Sequence, residues 1–108
     1  MVCIFLVSQV STKSQNAYNL TEKAYYAQDQ QSAVKAVCEA KDYWEAQEWF
    51  LGSVLRHEDL EDVVQLFDII NIYALREDWD DYYGNCAALL ARLSHISKSE
   101  LPRLKNIL

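Results

Sequence analysis

Residues 55–62 read Leu-Arg-His-Glu-Asp-Leu-Glu-Asp, and residues 75–81 read Leu-Arg-Glu-Asp-Trp-Asp-Asp. Each stretch passes from Leu-Arg through acids to one large apolar residue, then to two more acids. Each lies between two apolar patterns of helical spacing. Acids complement the positive end of a helix macrodipole, at about 0.3–1 kcal/mol each, and Arg56 and Arg76 suit the ends of the preceding helices. The two stretches therefore read as two copies of one junction, where one helix stops and the next begins. The chain should reverse at 56–59 and again at 76–78, so that helices stack side by side.

The rest of the composition agrees. The chain has 108 residues, enough for one domain with its own core. Apolar residues make up 51% and charged residues 24%, ordinary values for a folded chain and wrong for disorder. Only two glycines and one proline are present, too few for the turns of a sheet protein. The expectation is an all-α single domain with four to five helices packed as antiparallel hairpins. Either a bundle or a short helical-repeat arrangement fits.

Upstream, residues 1–7 (MVCIFLV) form an apolar run too short to cross a bilayer. It lacks the basic start and the small-residue cleavage site of a secretory signal. Ser8 to Asn16 is polar and reads as a loop. The expected division is therefore an N-terminal lead-in at 1–16 and a helical domain at 17–108. From residue 17, Ala17, Leu20, Ala24 and Ala27 share a face. Ser32 can serve as an N-cap for Ala33, Val37, Ala40 and Trp44. Whether residues 31–57 make one helix or two is open. The central helices fall at about 59–76 and 79–95. The first carries Leu60, Val63, Val64, Phe67, Ile70 and Ala74, widened by Ile69, Ile72 and Tyr73, which predicts a central position. The second carries Trp79, Tyr82, Cys86, Leu89, Leu90, Leu93 and Ile96. Ser99 can cap a last short helix, with Pro102 in its first turn and Leu101, Leu104 and Leu108 packing back.

The residues Ala17, Leu20, Ala24, Ala33, Val37 and Ala40 loosely resemble one tetratricopeptide repeat, over about 24 residues. Thr21 stands where that family usually has Gly, no Pro closes the repeat, and the later chain does not restate it. The resemblance implies helical hairpins and, at its furthest, a degenerate interaction domain of that kind.

Chemistry is thin in this sequence. There is no nucleophile–base motif around His57 or His95, and no Gly-rich phosphate loop. Gly52 and Gly84 stand alone inside helical patterns, where they would permit close helix crossing. His57 and Glu61 are four residues apart and share a helix face, but the Glu-x-x-His motif of bundle di-iron sites is absent. Cys3, Cys38 and Cys86 are odd in number and widely spaced, against a disulfide framework or a zinc site. Cys38 and Cys86 read as small core residues, and a reducing cytoplasm fits. No catalytic residue, metal or cofactor is expected.

The formal charge is −6. It disfavours nucleic acid and anionic lipid and would steer a basic protein inward. Adjacent aromatic pairs add to this: Tyr25-Tyr26, Tyr43-Trp44, Trp49-Phe50 and Tyr82-Tyr83. Neighbours on a helix point about 100° apart, so both members seldom fit inside a small bundle. The functional expectation is a non-catalytic, cytoplasmic protein-binding module. Small acidic inhibitors, toxin-neutralising immunity proteins and phage-encoded blockers share its physical profile. Its partner-binding residues would be Glu58, Asp59, Glu61, Asp62, Glu77, Asp78, Asp80 and Asp81, with Trp79 or Tyr82 as apolar anchor. The alternative is a self-associating structural subunit, a homodimer with the aromatics or the apolar N-terminus in its seam.

Overall fold

The computed structural model describes residues 2–53, 55–96 and 98, with side chains from residue 8 onward. The chain forms five helices: α1 (Val2–Tyr25), α2 (Gln30–Ala46), α3 (Glu48–Leu51), α4 (His57–Arg76) and α5 (Trp79–His95). The four long ones run alternately up and down, and α1 packs against both α2 and α5, α4 against both α2 and α5. That closed ring is a four-helix bundle, an elongated body of 46 × 19 × 17 Å. An open tetratricopeptide-like stack would leave first and last helices apart; here they touch.

Helix α1 corrects the expected lead-in. The stretch from Ser8 to Asn16 is helical, continuous with the helix expected from Ala17. Its buried face is Val10, Ser14, Ala17, Thr21 and Ala24, spaced by four, three, four and three. Two of these five are hydroxyl residues, which hides the period from a count of apolar side chains. The Thr21 hydroxyl donates to the Ala17 carbonyl at 2.8 Å, so it enters the core already satisfied within its own helix. Polar side chains then tie α1 to α2 and its C-cap: Lys13 donates to Gln47 at 2.6 Å and Asn16 to the Tyr43 hydroxyl at 3.1 Å.

Asp29, three residues before the expected Ser32, is the N-cap of α2. Its carboxylate accepts from the Ser32 backbone N–H at 2.7 Å. Residues 31–57 divide at Gln47, which closes α2 and opens the single turn of α3. Ala33, Val37, Ala40 and Trp44 are all buried, as their spacing predicts, while Cys38 lies outside that stripe and is exposed. Gly52 follows α3 and does not sit inside a helix, and Gly84 faces open space with no atom within 4 Å of an added Cβ. Neither marks a close crossing of long helices.

The two helices that flank the second junction begin and end almost where the charges place them. Leu60, Val63, Phe67, Ile70 and Ala74 line the inner face of α4; Tyr82, Cys86, Leu89 and Leu93 line that of α5. At about 1.5–3 kcal/mol for each large apolar side chain, these rows are a major source of stability. Helix α4 is not central, however. It has two long neighbours like every other helix of the ring, and Ile69, Ile72 and Leu75 remain exposed on it. The expected short helix after Ser99, with Leu101, Pro102, Leu104 and Leu108, lies outside the described residues, as does the side chain of Cys3.

Candidate functional site

The reversal of direction decides where the acids fall. Helix α4 starts where α2 ends, and α5 starts where α4 ends, so consecutive helix starts sit at opposite ends of the bundle. The 20 residues of α4 separate them by about 30 Å. The ten expected partner-binding residues therefore form two groups. Glu58, Asp59, Glu61 and Asp62 occupy the lower end, beside α3. Glu77, Asp78, Trp79, Asp80, Asp81 and Tyr82 occupy the upper end, beside the α1–α2 turn.

At the lower end Glu61 and Asp62 each have a side-chain partner within the chain. The Asp62 carboxylate lies 3.6 Å from Arg92 on α5, and His57 Nε2 lies 2.8 Å from Glu61. Asp59 is only 8% exposed, which removes it from any partner-facing set. Between α3 and α4 an open groove of about 480 Å³ is lined by Glu48, Gly52, His57, Leu60, Glu61, Val64 and Gln65. Trp49 stands next to Glu48, 80% exposed and edge-on to Phe50 at 6.0 Å. Lys13 lies over the Phe50 ring at 5.5 Å.

At the upper end α4 closes on Glu77, the one non-glycine residue with positive φ among the described residues (φ 57, ψ 31). The Glu77 N–H donates to the Ala74 carbonyl at 3.2 Å and the Asp78 N–H to the Tyr73 carbonyl at 3.0 Å. This is a Schellman closure with a glutamate where glycine is usual. It turns the chain sharply, so that Glu77, Asp78, Asp80 and Asp81 follow one another around the turn and first turn of α5. Gln30 holds the turn against α2 by donating to the carbonyls of Ala74 and Leu75, at 3.3 and 2.9 Å. Asp78 lies 3.6 Å from Arg76. No cation among the described residues lies within ion-pair distance of Glu77, Asp80 or Asp81.

Beside these carboxylates lies a continuous array of aromatic rings. Trp79 is edge-on to Tyr82 at 5.3 Å, and Tyr82 to Tyr83 at 5.2 Å. Tyr83 approaches Tyr25 at 5.6 Å, and Tyr25 meets Tyr26 at 5.0 Å. Tyr82 is the buried member, and its expected role as a surface anchor is withdrawn: its hydroxyl donates to the Ala24 carbonyl inside the bundle. Burial, and then the neighbouring Cys86, push its phenol well above the ordinary range. Burial likewise pushes the Cys86 thiol up to about 11, partly offset by a hydrogen bond with Tyr82. Both groups are neutral packing elements. Tyr26 and Tyr83 remain 70% and 37% exposed, and with Tyr25, Ala27 and Gln28 they line an open depression of about 450 Å³.

The adjacent pairs thus behave as the helix angle requires: Trp44 and Tyr82 turn in, Tyr26, Trp49 and Tyr83 turn out. What the spacing could not reveal is that Tyr25 and Tyr26, at the end of α1, meet Tyr83 from α5. The signal was present in the two separate Tyr-Tyr pairs but carried no information that they would meet. Among the described residues no three His, Cys, Asp or Glu side chains gather as a metal-holding group, and no helix is long and apolar enough to cross a membrane.

This geometry defines a class: a small up-and-down four-helix bundle with its acids at helix starts and its exposed aromatics at the ends. Residues 1–107 match the family described as domain of unknown function DUF4363, and the chain belongs to that family. No curated protein matches the chain, and no solved structure does.

Proposed function

We propose that the protein is a non-catalytic binding module, of the acidic inhibitor or immunity type, and that its upper end receives a basic protein partner. The single observation behind this reading is the contrast in charge commitment. Glu77, Asp80 and Asp81 are exposed and have no cation among the described residues within ion-pair distance, whereas Asp62 lies beside Arg92 and Glu61 beside His57. Uncommitted carboxylates attract a partner's Lys and Arg at long range and orient its approach. The half-buried Trp79 offers an apolar contact at the rim of the same turn. Mechanism is then occlusion: the bundle covers whatever basic surface it docks on.

The test is the affinity for a lysine-rich 12-residue peptide at low salt, read by fluorescence anisotropy. Replacing Glu77, Asp80 and Asp81 by Gln, Asn and Asn should weaken it about tenfold, with most of the loss erased at high salt. The matching set E58Q, E61Q and D62N should weaken it less. Unchanged affinity in the first variant at low salt would remove the electrostatic basis.

Self-association is a second reading, favoured by Ile69, Ile72 and Leu75 on the outer side of α4. A concentration-dependent dimer in light scattering, lost in I69S/I72S, would favour it over the first.

A further inference from the structure

We propose that the tyrosine-walled depression at the upper end is a seat for an arginine guanidinium of the basic partner. The inference rests on the reading above and adds a chemical identity to the group received. The walls are three rings set nearly at right angles, Tyr25 to Tyr26 at 87° and Tyr25 to Tyr83 at 70°. Such a corner offers the negative face of one ring beside the edge of another, and ring faces attract cations. Among the described residues the cation–π contact is Lys13 on Phe50, at another place in the bundle, and no cation of those residues occupies these rings.

Carboxylates lie one helical turn from the rings, and an amide lines the corner. Asp80 and Trp79 precede Tyr83 by three and four residues, on the same side of α5, and Trp79 lies 6.2 Å from Tyr83 at 32°. Glu22 precedes Tyr25 and Tyr26 by the same intervals on α1. Gln28 contributes an amide to the lining. A guanidinium is planar, weakly hydrated and able to stack while its N–H groups donate sideways; an ammonium is compact and holds its water. A depression of about 450 Å³ walled by rings, with an amide in its lining and Asp80 and Glu22 one helical turn from its tyrosines, suits the former.

The experiment compares two 12-residue peptides of equal length and charge, one with Arg and one with Lys at every basic position, against the full chain. The Arg peptide should bind about fivefold tighter. In Y26L/Y83L, and in Y26L alone where the double variant folds poorly by circular dichroism, the Arg-to-Lys ratio should fall towards one. Equal binding of both peptides by the natural chain overturns the guanidinium seat and leaves the basic-partner reading standing, as does a ratio that survives both variants. Binding of neither peptide overturns both.

Discussion

At the start of α4, Asp62 faces Arg92, Glu61 meets His57 and Asp59 is turned inward; at the start of α5, Glu77, Asp80 and Asp81 face solvent with no cation of the described chain in reach. The spelling of the two stretches is nearly the same. Their surroundings differ because direction alternates in a bundle. The first start lies beside the last turns of α5, which carry Arg92 and His95. The second lies beside the α1–α2 turn, where the side chains are Tyr25, Tyr26, Gln28 and Asp29. A repeated local signal therefore produces one end where Asp62 and Arg92 pair between helices and another where no cation among the described residues reaches Glu77, Asp80 or Asp81. A helix-start acid says that a helix begins; only its neighbours say whether the charge is available.

Each start is anchored by the residue three positions after its large apolar one, Val63 after Leu60 and Tyr82 after Trp79, and both are fully buried. The comparison can be broken most forcefully here. Tyr82→Ala should destabilise the fold by about 3–5 kcal/mol, since it empties a ring-sized space between α5 and α1. Tyr82→Phe should cost about 0.5–1.5 kcal/mol, the worth of the bond to the Ala24 carbonyl. Val63→Ala should fall below Tyr82→Ala, because fewer buried atoms are removed. Urea titration measures all three. A Tyr82→Phe protein as stable as the natural one would mean that Tyr82 joins α5 to α1 by packing alone.

The same contrast explains how much of the molecule could be read in advance. The junctions, the inner faces of α2, α4 and α5, and the outward turn of some of the paired aromatics follow from local period and charge, which act within a few residues. Helix α1 before residue 17 could not be read that way. Its inner face uses Ser14 and Thr21, polar residues that a count of apolar side chains passes over; the Thr21 hydroxyl is satisfied by the Ala17 carbonyl, which apolar period does not reveal. The outward turn of Ile69 and Ile72 was equally hidden, because apolar content on a helix does not reveal how many neighbours it has. The assembly of Tyr25, Tyr26 and Tyr83 depends on ring closure between the first and last of the long helices, which no local signal encodes.

Glycine gives a smaller effect with opposite signs at the two glycines. Gly84 lies within α5, and an added Cβ would meet nothing within 4 Å. Gly84→Ala should stabilise by about 0.5–1 kcal/mol, through the conformational freedom that glycine surrenders in a helix. At Gly52, at the lower end, the Cβ would stand 2.9 Å from the Glu48 carbonyl oxygen, closer than backbone geometry tolerates. Gly52→Ala should therefore destabilise, and should also disturb the groove that Gly52 lines. Thermal melts of the two variants give the signs directly; equal shifts would show that α3 yields freely at the lower end.

The smallest expected effect separates the upper-end carboxylates from one another by pH. Asp29 belongs to that end but does a structural job, and its hydrogen bonds, first from the Ser32 backbone and then from the Ser32 side chain, hold its carboxyl below 3.8. A carboxyl whose folded pKa is lowered adds stability above its unfolded pKa and loses it as the pH falls through the folded one. The Asp29 contribution is thus intact at neutral pH and fades as acid carries the solution into and below the ordinary carboxylate range. Asparagine caps helices as well as aspartate but does not titrate. Asp29→Asn should therefore melt close to the natural protein at neutral pH and fall less steeply in acid, while Asp29→Ala should melt lower throughout. Parallel acid limbs for the natural chain and Asp29→Asn would mean that the carboxylate adds nothing beyond its shape.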